Sequence, residues 1–378
     1  MKTKNRLLCY LTVIILFTGC HSGNRTIEPD IDMEDIDFES FSVTEVEEFP
    51  ETVVRNKEYI NLDGSKEEML FGWIDKIKII DGRIYVLDKR MRKLLVFDMS
   101  GAGIGTVGKR GPGPEEYLNI SDFDVNTKGD IYFVDGTHDD DRLFVFDRDL
   151  RFVYVKKLPF ETDLVKCLPN DKLLFGLAAW NKGMNAPMKI ARTDMKLKTE
   201  QAWIKYDRDV DVNAWVSDCF FINVKGCIQY NKQIDNLVYE ISPEGLLIRA
   251  YRFDFGRRNL PDIYRKDIGE NWDEVQKYCF LLNFAVITRN HIAGTLQDRQ
   301  QIKAFIADRN TRKLYTQKNR STMPNMDIIS NMSGYFDDQV ISFIYPGKYE
   351  DLERTTLPQD VKKHVRDENF TVCLSFLQ

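Results

Sequence analysis

Histidine is scarce in this chain: four in 378 residues, scattered as His21, His138, His291 and His364. No H-E-x-x-H, G-x-S-x-G or C-x-x-C occurs, so the linear signatures of a zincin, a nucleophile-elbow hydrolase and a dithiol oxidoreductase are missing. Distant loops could still assemble a catalytic site, so the sequence leans against an enzyme without deciding the matter. Positive charge is in deficit, with 53 Lys and Arg against 59 Asp and Glu. Such a balance argues against a nucleic-acid partner, because affinity for phosphate comes from clustered cations. Cysteine is limited to seven residues. Setting aside Cys9 and Cys20 near the N-terminus leaves Cys167, Cys219, Cys227, Cys279 and Cys373 in or beside apolar runs. That odd number suits buried thiols better than a disulfide framework. The apolar run at residues 7–17 is too short to span a bilayer, and Lys2, Lys4 and Arg6 precede it, as in an export signal.

The end of that run carries a second signal. Leu16-Phe17-Thr18-Gly19-Cys20 resembles the lipobox of bacterial lipoproteins. The resemblance implies cleavage before Cys20, lipidation of its thiol and attachment to the cell envelope, with the outer membrane as the expected address. Residues 1–19 then form a signal peptide and 20–40 an acidic tether carrying Glu28, Asp30, Asp32, Glu34, Asp35 and Asp37. Residues 41–378 form the folded domain.

Within that domain a pattern recurs. Ile84-Tyr85-Val86-Leu87-Asp88 and Leu94-Leu95-Val96-Phe97-Asp98 are matched by Ile131-Tyr132-Phe133-Val134-Asp135 and Leu143-Phe144-Val145-Phe146-Asp147. Each is an apolar run of strand length, ending on Asp and bounded by Gly, Asn or Asp turns. Fainter copies place Leu173, Ile228, Ile292 and Val340 in register with Ile84 and Ile131, at steps of 47, 42, 55, 64 and 48 residues. A period in this range fits four short antiparallel strands per unit. Six units predict an all-β fold, a six-bladed β-propeller of four-stranded antiparallel blades, with Tyr59-Ile60-Asn61-Leu62 closing the last blade.

Strand alternation sorts the connections between the two mouths of such a ring. First-to-second and third-to-fourth links are tight turns. Second-to-third and inter-blade links hold nearly all the surplus chain, including helical spacing after Pro261 and a helix start at Pro358. Functional residues concentrate on elaborated loops over a rigid scaffold, which points to the long-loop face.

With these residues in view, the chain resembles the six-bladed β-propeller lipoproteins of Bacteroidota, of TolB-like or NHL-like architecture. The likeness rests on Tyr59-Ile60-Asn61-Leu62, the two Asp-ended strands of the first unit, Gly108-Lys109-Arg110-Gly111-Pro112-Gly113-Pro114-Glu115-Glu116-Tyr117 and Asp367-Glu368-Asn369. It covers residues 59–378 and implies a fold and an envelope address, with no agreed activity.

Ligand-binding candidates on the long loops are Arg110, Glu116, Tyr117, His138, Asp140, Trp180 and Trp215. Arg110, Glu116 and Tyr117 could equally clamp two blades. The tryptophans could stack on a sugar or a partner, or pack on blade edges. Asp139, Asp140 and Asp141 are weak candidates for a metal site, since oxygen ligands at that density suit calcium, but the spacing is not that of an EF-hand. Gly103, Gly105, Gly108 and Lys109 imitate a phosphate loop, yet Gly111-Pro112-Gly113-Pro114 stands where a helix would have to begin. The resulting expectation is a lipid-anchored, non-catalytic binding or scaffold module without a cofactor, offering its long-loop face to a glycan, peptide or envelope protein. The alternative is a calcium-dependent hydrolase or lactonase with its site in the central channel.

Overall fold

The computed structural model describes residues 36–42, 46–48, 54–137, 140–184, 188–206, 219–316, 331–346, 352 and 355–377. Six antiparallel sheets succeed one another around a ring. Blade 1 comprises Lys76–Ile80, Arg83–Asp88, Lys93–Asp98 and Gly103–Thr106, and blade 2 comprises Asp122–Val125, Ile131–Asp135, Arg142–Phe146 and Phe152–Lys157. Blade 3 is built from Thr162–Leu168, Lys172–Leu177, Met188–Asp194 and Thr199–Lys205, and blade 4 from Ile222–Val224, Cys227–Lys232, Leu237–Ile241 and Leu247–Asp254. Blade 5 takes Phe280–Ile287, His291–Asp298, Gln301–Asp308 and Leu314–Thr316; blade 6 takes Met332–Phe336, Gln339–Ile344 and Thr371–Leu377. The fourth strand of blade 6 comes from the other end of the chain: Val54–Asn61 pairs antiparallel with Thr371–Leu377. The six predicted repeats are thus six blades, and the equivalenced positions Ile84, Ile131, Leu173, Ile228, Ile292 and Val340 all lie on second strands.

Strands apolar on both faces are explained by where the cores sit. Each blade is sandwiched between two others, so alternate residues of one strand serve different interfaces. Ile84 and Val86 pack with Ile341 and Phe343 of blade 6, whereas Tyr85 and Leu87 pack with Phe123 and Phe133 of blade 2. The same division recurs around the ring.

Repeated aspartates close the tight turns. Asp98, Asp147, Asp194 and Asp308 end third strands and accept hydrogen bonds from turn amides: Ser100 (2.8 Å) and Ala102 (3.0 Å), Asp149 and Arg151 (both 2.9 Å), Lys196 (2.8 Å) and Lys198 (2.9 Å), and Asn310 (2.7 Å). A short side-chain acceptor two residues from the amide is what such a turn requires. At the opposite mouth emerge the long connections, with helix α1 (Trp272–Val275), helix α2 (Gln359–Arg366) and short 3-10 turns. Pro358 caps α2, while the segment around Gly269 breaks into turns instead of one helix.

The acidic segment departs from its assignment at one end. Residues 37–40, counted with the tether, belong to the strand Asp37–Ser42, which adds in parallel to the outer edge of blade 4; Val46–Glu48 does the same on blade 5. Cationic neighbours hold it there: Arg249 pairs with Asp37 (2.9 Å) and Arg309 grips both oxygens of Glu39 (2.6 and 2.9 Å). Residues 1–19, Cys20 and the tether to residue 35 lie outside the described residues.

Ring closure suggests a direct test. Gly101 adopts φ +87°, and a Cβ there would lie 1.9 Å from the Asn61 carbonyl oxygen of the closing strand; Gly82, at φ +69°, has open space around it. Gly82→Ala should cost about 1 kcal/mol for the left-handed backbone alone. Gly101→Ala adds a backbone clash and should cost at least ~2 kcal/mol more, read as a larger drop in the urea midpoint.

Candidate functional site in the central channel

The innermost strand of each blade has a sheet neighbour on one side only, so its other edge turns unpaired N–H and C=O groups toward the axis. In blades 2 and 3 charged side chains answer some of them. Lys76 and Lys78 stand two residues apart and so share a face, as do Asp122 and Asp124. Lys76 Nζ donates to Asp122 Oδ1 (2.6 Å) and to the Phe123 carbonyl (2.7 Å). Lys78 repeats the contact one step along, donating to Asp124 Oδ1 and to the Val125 carbonyl (2.9 Å). The second carboxylate oxygens reach blade 3. Asp122 Oδ2 accepts the Val165 amide (3.0 Å), and Asp124 Oδ2 accepts the Cys167 amide (2.8 Å) and Lys166 Nζ (2.8 Å). Lys76 also lies 5.1 Å from the ring centroids of Phe123 and Phe220, close enough for cation–π attraction.

Lys76, Lys78, Asp124 and Lys166 of this cluster line a cavity of about 500 Å³, a volume suited to a small-molecule ligand. Lys76 and Phe220 lie toward the long-loop side. At the other end the lining reaches Asp81, Lys225, Asp337 and Asp338, which belong to first-to-second-strand turns and are exposed. The cavity therefore has its mouth on the trimmed face, whereas loop length had pointed to the elaborated one.

Burial and pairing divide the charges unevenly. At Asp124 burial opposes ionisation, but Lys166, Lys78 and Lys76 outweigh it and hold the carboxyl well below the usual range. At Lys166 burial is likewise outweighed, by Asp124, and its ammonium is stabilised. One carboxylate cannot fully serve two ammoniums. At Lys78 burial prevails over Asp124 and pushes the pKa down to about 8. Asp122 is pushed up by burial despite Lys76. Burial also pushes the Cys167 thiol well up, so it stays protonated.

The residues singled out from sequence that are described do not come together here. Tyr117 is buried: its hydroxyl donates to the Arg92 carbonyl (3.0 Å), its ring meets Phe133 edge-on, and burial pushes its pKa up to about 12. Glu116 turns back on its own loop, accepting the Gly113 amide (3.0 Å) and pairing with Lys109 (3.0 Å), while Arg110 is exposed and bridges to Tyr117 through the backbone. Gly103–Thr106 is the outer strand of blade 1 and the loop after it contains no helix, which removes the phosphate-loop resemblance. Asp140 pairs with Lys157 (2.7 Å), and buried Asp141 accepts the amides of Thr137 (2.9 Å) and Thr162 (2.8 Å). Trp180 is exposed. His138, Asp139 and Trp215 lie outside the described residues. Among the described residues, no three His, Cys, Asp or Glu side chains converge as metal ligands.

The long-loop face has a different character. Leu70, Trp73, Met91 and Leu118 are exposed there. Their loops are tied together by Asp88, which accepts the amides of Gly72 (2.7 Å), Trp73 (3.1 Å) and Met91 (2.7 Å), and by Arg92, which donates to the Leu118 carbonyl (3.3 Å).

Six four-stranded blades closed by an N-terminal strand around a charged channel define a six-bladed β-propeller. The chain belongs to the DUF4934 family, described as a domain of unknown function, which it matches over residues 41–371. Among solved structures it is similar to a protein of Bacteroides fragilis provisionally described as exported, at 16% identity and a TM-score of 0.72, covering 90% of this chain and 99% of that one. A member of the duf4221 family from Bacteroides vulgatus is more distant, at 9% identity and a TM-score of 0.51, covering 86% and 97%. No curated protein matches the chain in sequence.

Two outcomes test the cluster. Asp124→Asn leaves Lys78 and Lys166 without their shared counter-ion and should cost about 3–5 kcal/mol of stability, the range for breaking a buried pair; Asp140→Asn, on an exposed carboxylate, should leave the unfolding midpoint unchanged. Folded Lys78 gives up its proton near pH 8, while the unfolded chain keeps it to about 10.5. The unfolded state thus binds more protons between those values, and the Lys78 contribution to stability must rise with pH there. Unfolding midpoints of the wild type and Lys78→Met should diverge in favour of the wild type across that window.

Proposed function

We propose that this protein is a lipid-anchored propeller of the cell envelope, seated in the outer membrane and acting as a non-catalytic binding module whose ligand enters the central channel from the short-turn mouth. The observation that carries this reading is the cavity itself: a rigid ring surrounds it, apolar walls flank it, and a few buried charges occupy one side. Rigid walls with a few fixed polar groups favour selective binding at little cost in ordering. Support for the envelope address comes from the basic head, the apolar run and Cys20 of the leader, together with the description of the Bacteroides fragilis neighbour as exported. Among the described residues no helix is long and apolar enough to cross a membrane. The protonated Cys167 thiol favours binding over nucleophilic chemistry at the cluster.

A second role is favoured by the exposed Leu70, Trp73, Met91 and Leu118. A glycan, peptide or envelope protein would dock on the long-loop face while the channel holds a smaller molecule. No nucleic acid is expected as a partner.

The test is to recover the full-length protein from envelopes in mild detergent after feeding cells an alkyne-tagged fatty acid. Wild type should carry the label and Cys20→Ala should not. Native mass spectrometry of the same preparation should show a non-covalent adduct that is depleted in Lys78→Met. An unlabelled wild-type protein would overturn the anchor. A channel that carries no adduct and takes none up from envelope extract would overturn the binding reading.

A further inference from the structure

Among the described residues, the charges of the inner cluster do not balance. Lys76, Lys78 and Lys166 face Asp122 and Asp124, and among the described residues none of the three lysines has another carboxylate within ion-pair distance. An ammonium carries three N–H donors. Lys76 and Lys78 each place two, on a carboxylate and a carbonyl, and Lys166 places one, on Asp124. That leaves one donor on Lys76, one on Lys78 and two on Lys166 in a site where Lys166 is only 4% exposed and Lys78 14%. A buried donor without an acceptor costs free energy comparable to a lost hydrogen bond. Stitching the inner strand edges accounts for the pairs but not for the extra cation.

The mouth has the opposite sign. Asp81, Asp337 and Asp338 stand there with Lys225. Lys225 pairs with Asp338 (2.7 Å), Asp81 lies 3.9 Å from Arg148, and Asp337 has no cation beside it among the described residues. Lys78 and Asp81 are three positions apart on one strand and turn, about 10 Å at the rise of a β-strand. Ile222, Tyr335 and Phe336 line the same cavity.

We propose that the channel is a receptor site for a small amphiphilic monocarboxylate, its carboxylate seated on Lys78 and Lys166 and its far end, neutral or an amine, at the acidic rim. The one surplus positive charge of the inner cluster is cancelled by one negative charge; a dianion would overshoot it and leave its second carboxylate beside the rim aspartates. A carboxylate offers enough lone pairs to take the unplaced donors of two lysines. The inference rests on the binding reading above and specifies its ligand.

The experiment is calorimetric titration of the full-length protein, in detergent at pH 7, with a matched series: octanoate, 8-aminooctanoate, octylamine and suberate. Octanoate and 8-aminooctanoate should bind, with the amino acid at least as tight, and suberate and octylamine should be about tenfold weaker or worse. Lys78→Met should weaken octanoate about tenfold or more, and Asp337→Asn should remove the advantage of the amino acid over octanoate. Octylamine or suberate binding as tightly as octanoate would overturn the proposal, as would unchanged octanoate affinity in a Lys78→Met protein of wild-type circular dichroism. Should that variant fail to fold, the lysine side-chain NMR signals of the wild type decide. Movement of the Lys78 and Lys166 signals with octanoate supports the seat, and their indifference at saturating octanoate overturns it. A neutral adduct found in the channel by mass spectrometry would sink the carboxylate while leaving the binding reading intact.

Discussion

A ring of sheets lacks free ends only if its first and last strands meet, and here they meet where Val54–Asn61 pairs with Thr371–Leu377. Everything else depends on that join. Without it blade 6 would expose the edge of its third strand, and the apolar faces of blades 6 and 1 would have nothing to hold them in register. The join is reinforced from both sides: the Leu62 amide donates to the Phe370 carbonyl (3.0 Å), the Asp63 amide donates to the Gly101 carbonyl (2.9 Å), and His364 of α2 lies 3.0 Å from the Leu62 carbonyl. The long insertion before the last strand thus braces the closure as well as decorating the face.

Closure also creates the environment in which the channel charges make sense. Six inner strands brought around an axis leave six edges without a sheet partner. Lysines and aspartates satisfy part of those on blades 2 and 3: Lys76 and Lys78 each link a carboxylate and a carbonyl of blade 2, and Asp122 and Asp124 accept amides of blade 3. Burying so many charges is costly unless pairing is good, and removing one partner costs more than the pair contributes. Such a cluster therefore ties the relative placement of three blades to the integrity of each member.

Much of the architecture was legible in the chain because one unit repeats with clear punctuation. Apolar strands ending at Asp88, Asp98, Asp135 and Asp147 carry both the burial and the turn chemistry of a blade, and the distribution of surplus chain between two mouths comes from strand alternation. The channel cluster was harder to see, although its signal is present. Lys76-Ile77-Lys78-Ile79 and Asp122-Phe123-Asp124-Val125 alternate charge with apolar bulk, the pattern of a strand with one wet face. Only the ring turns that face inward, and no local window contains the ring. The same limit applies to Asp37–Ser42. Its acidic residues read as a solvated leash until Arg249 and Arg309, more than two hundred positions away, are placed beside them. Loop length, by contrast, drew attention to Tyr117 and Glu116, which the fold uses internally.

The way the chain enters its first described strand fixes the side of the ring at which that strand begins. Asp37 lies opposite Arg249, just past the turn at residues 242–246, on the same side of the ring as Asp81, Lys225 and Asp337. If Cys20 carries a lipid as proposed, residues 20–36 would span at most roughly 60 Å and would pull from the trimmed rim. The molecule would hang with its cavity turned toward the bilayer and its apolar loops turned outward. Amphiphiles leaving the lipid would then meet the channel first, and macromolecules approaching from the aqueous side would meet Leu70, Trp73, Met91 and Leu118.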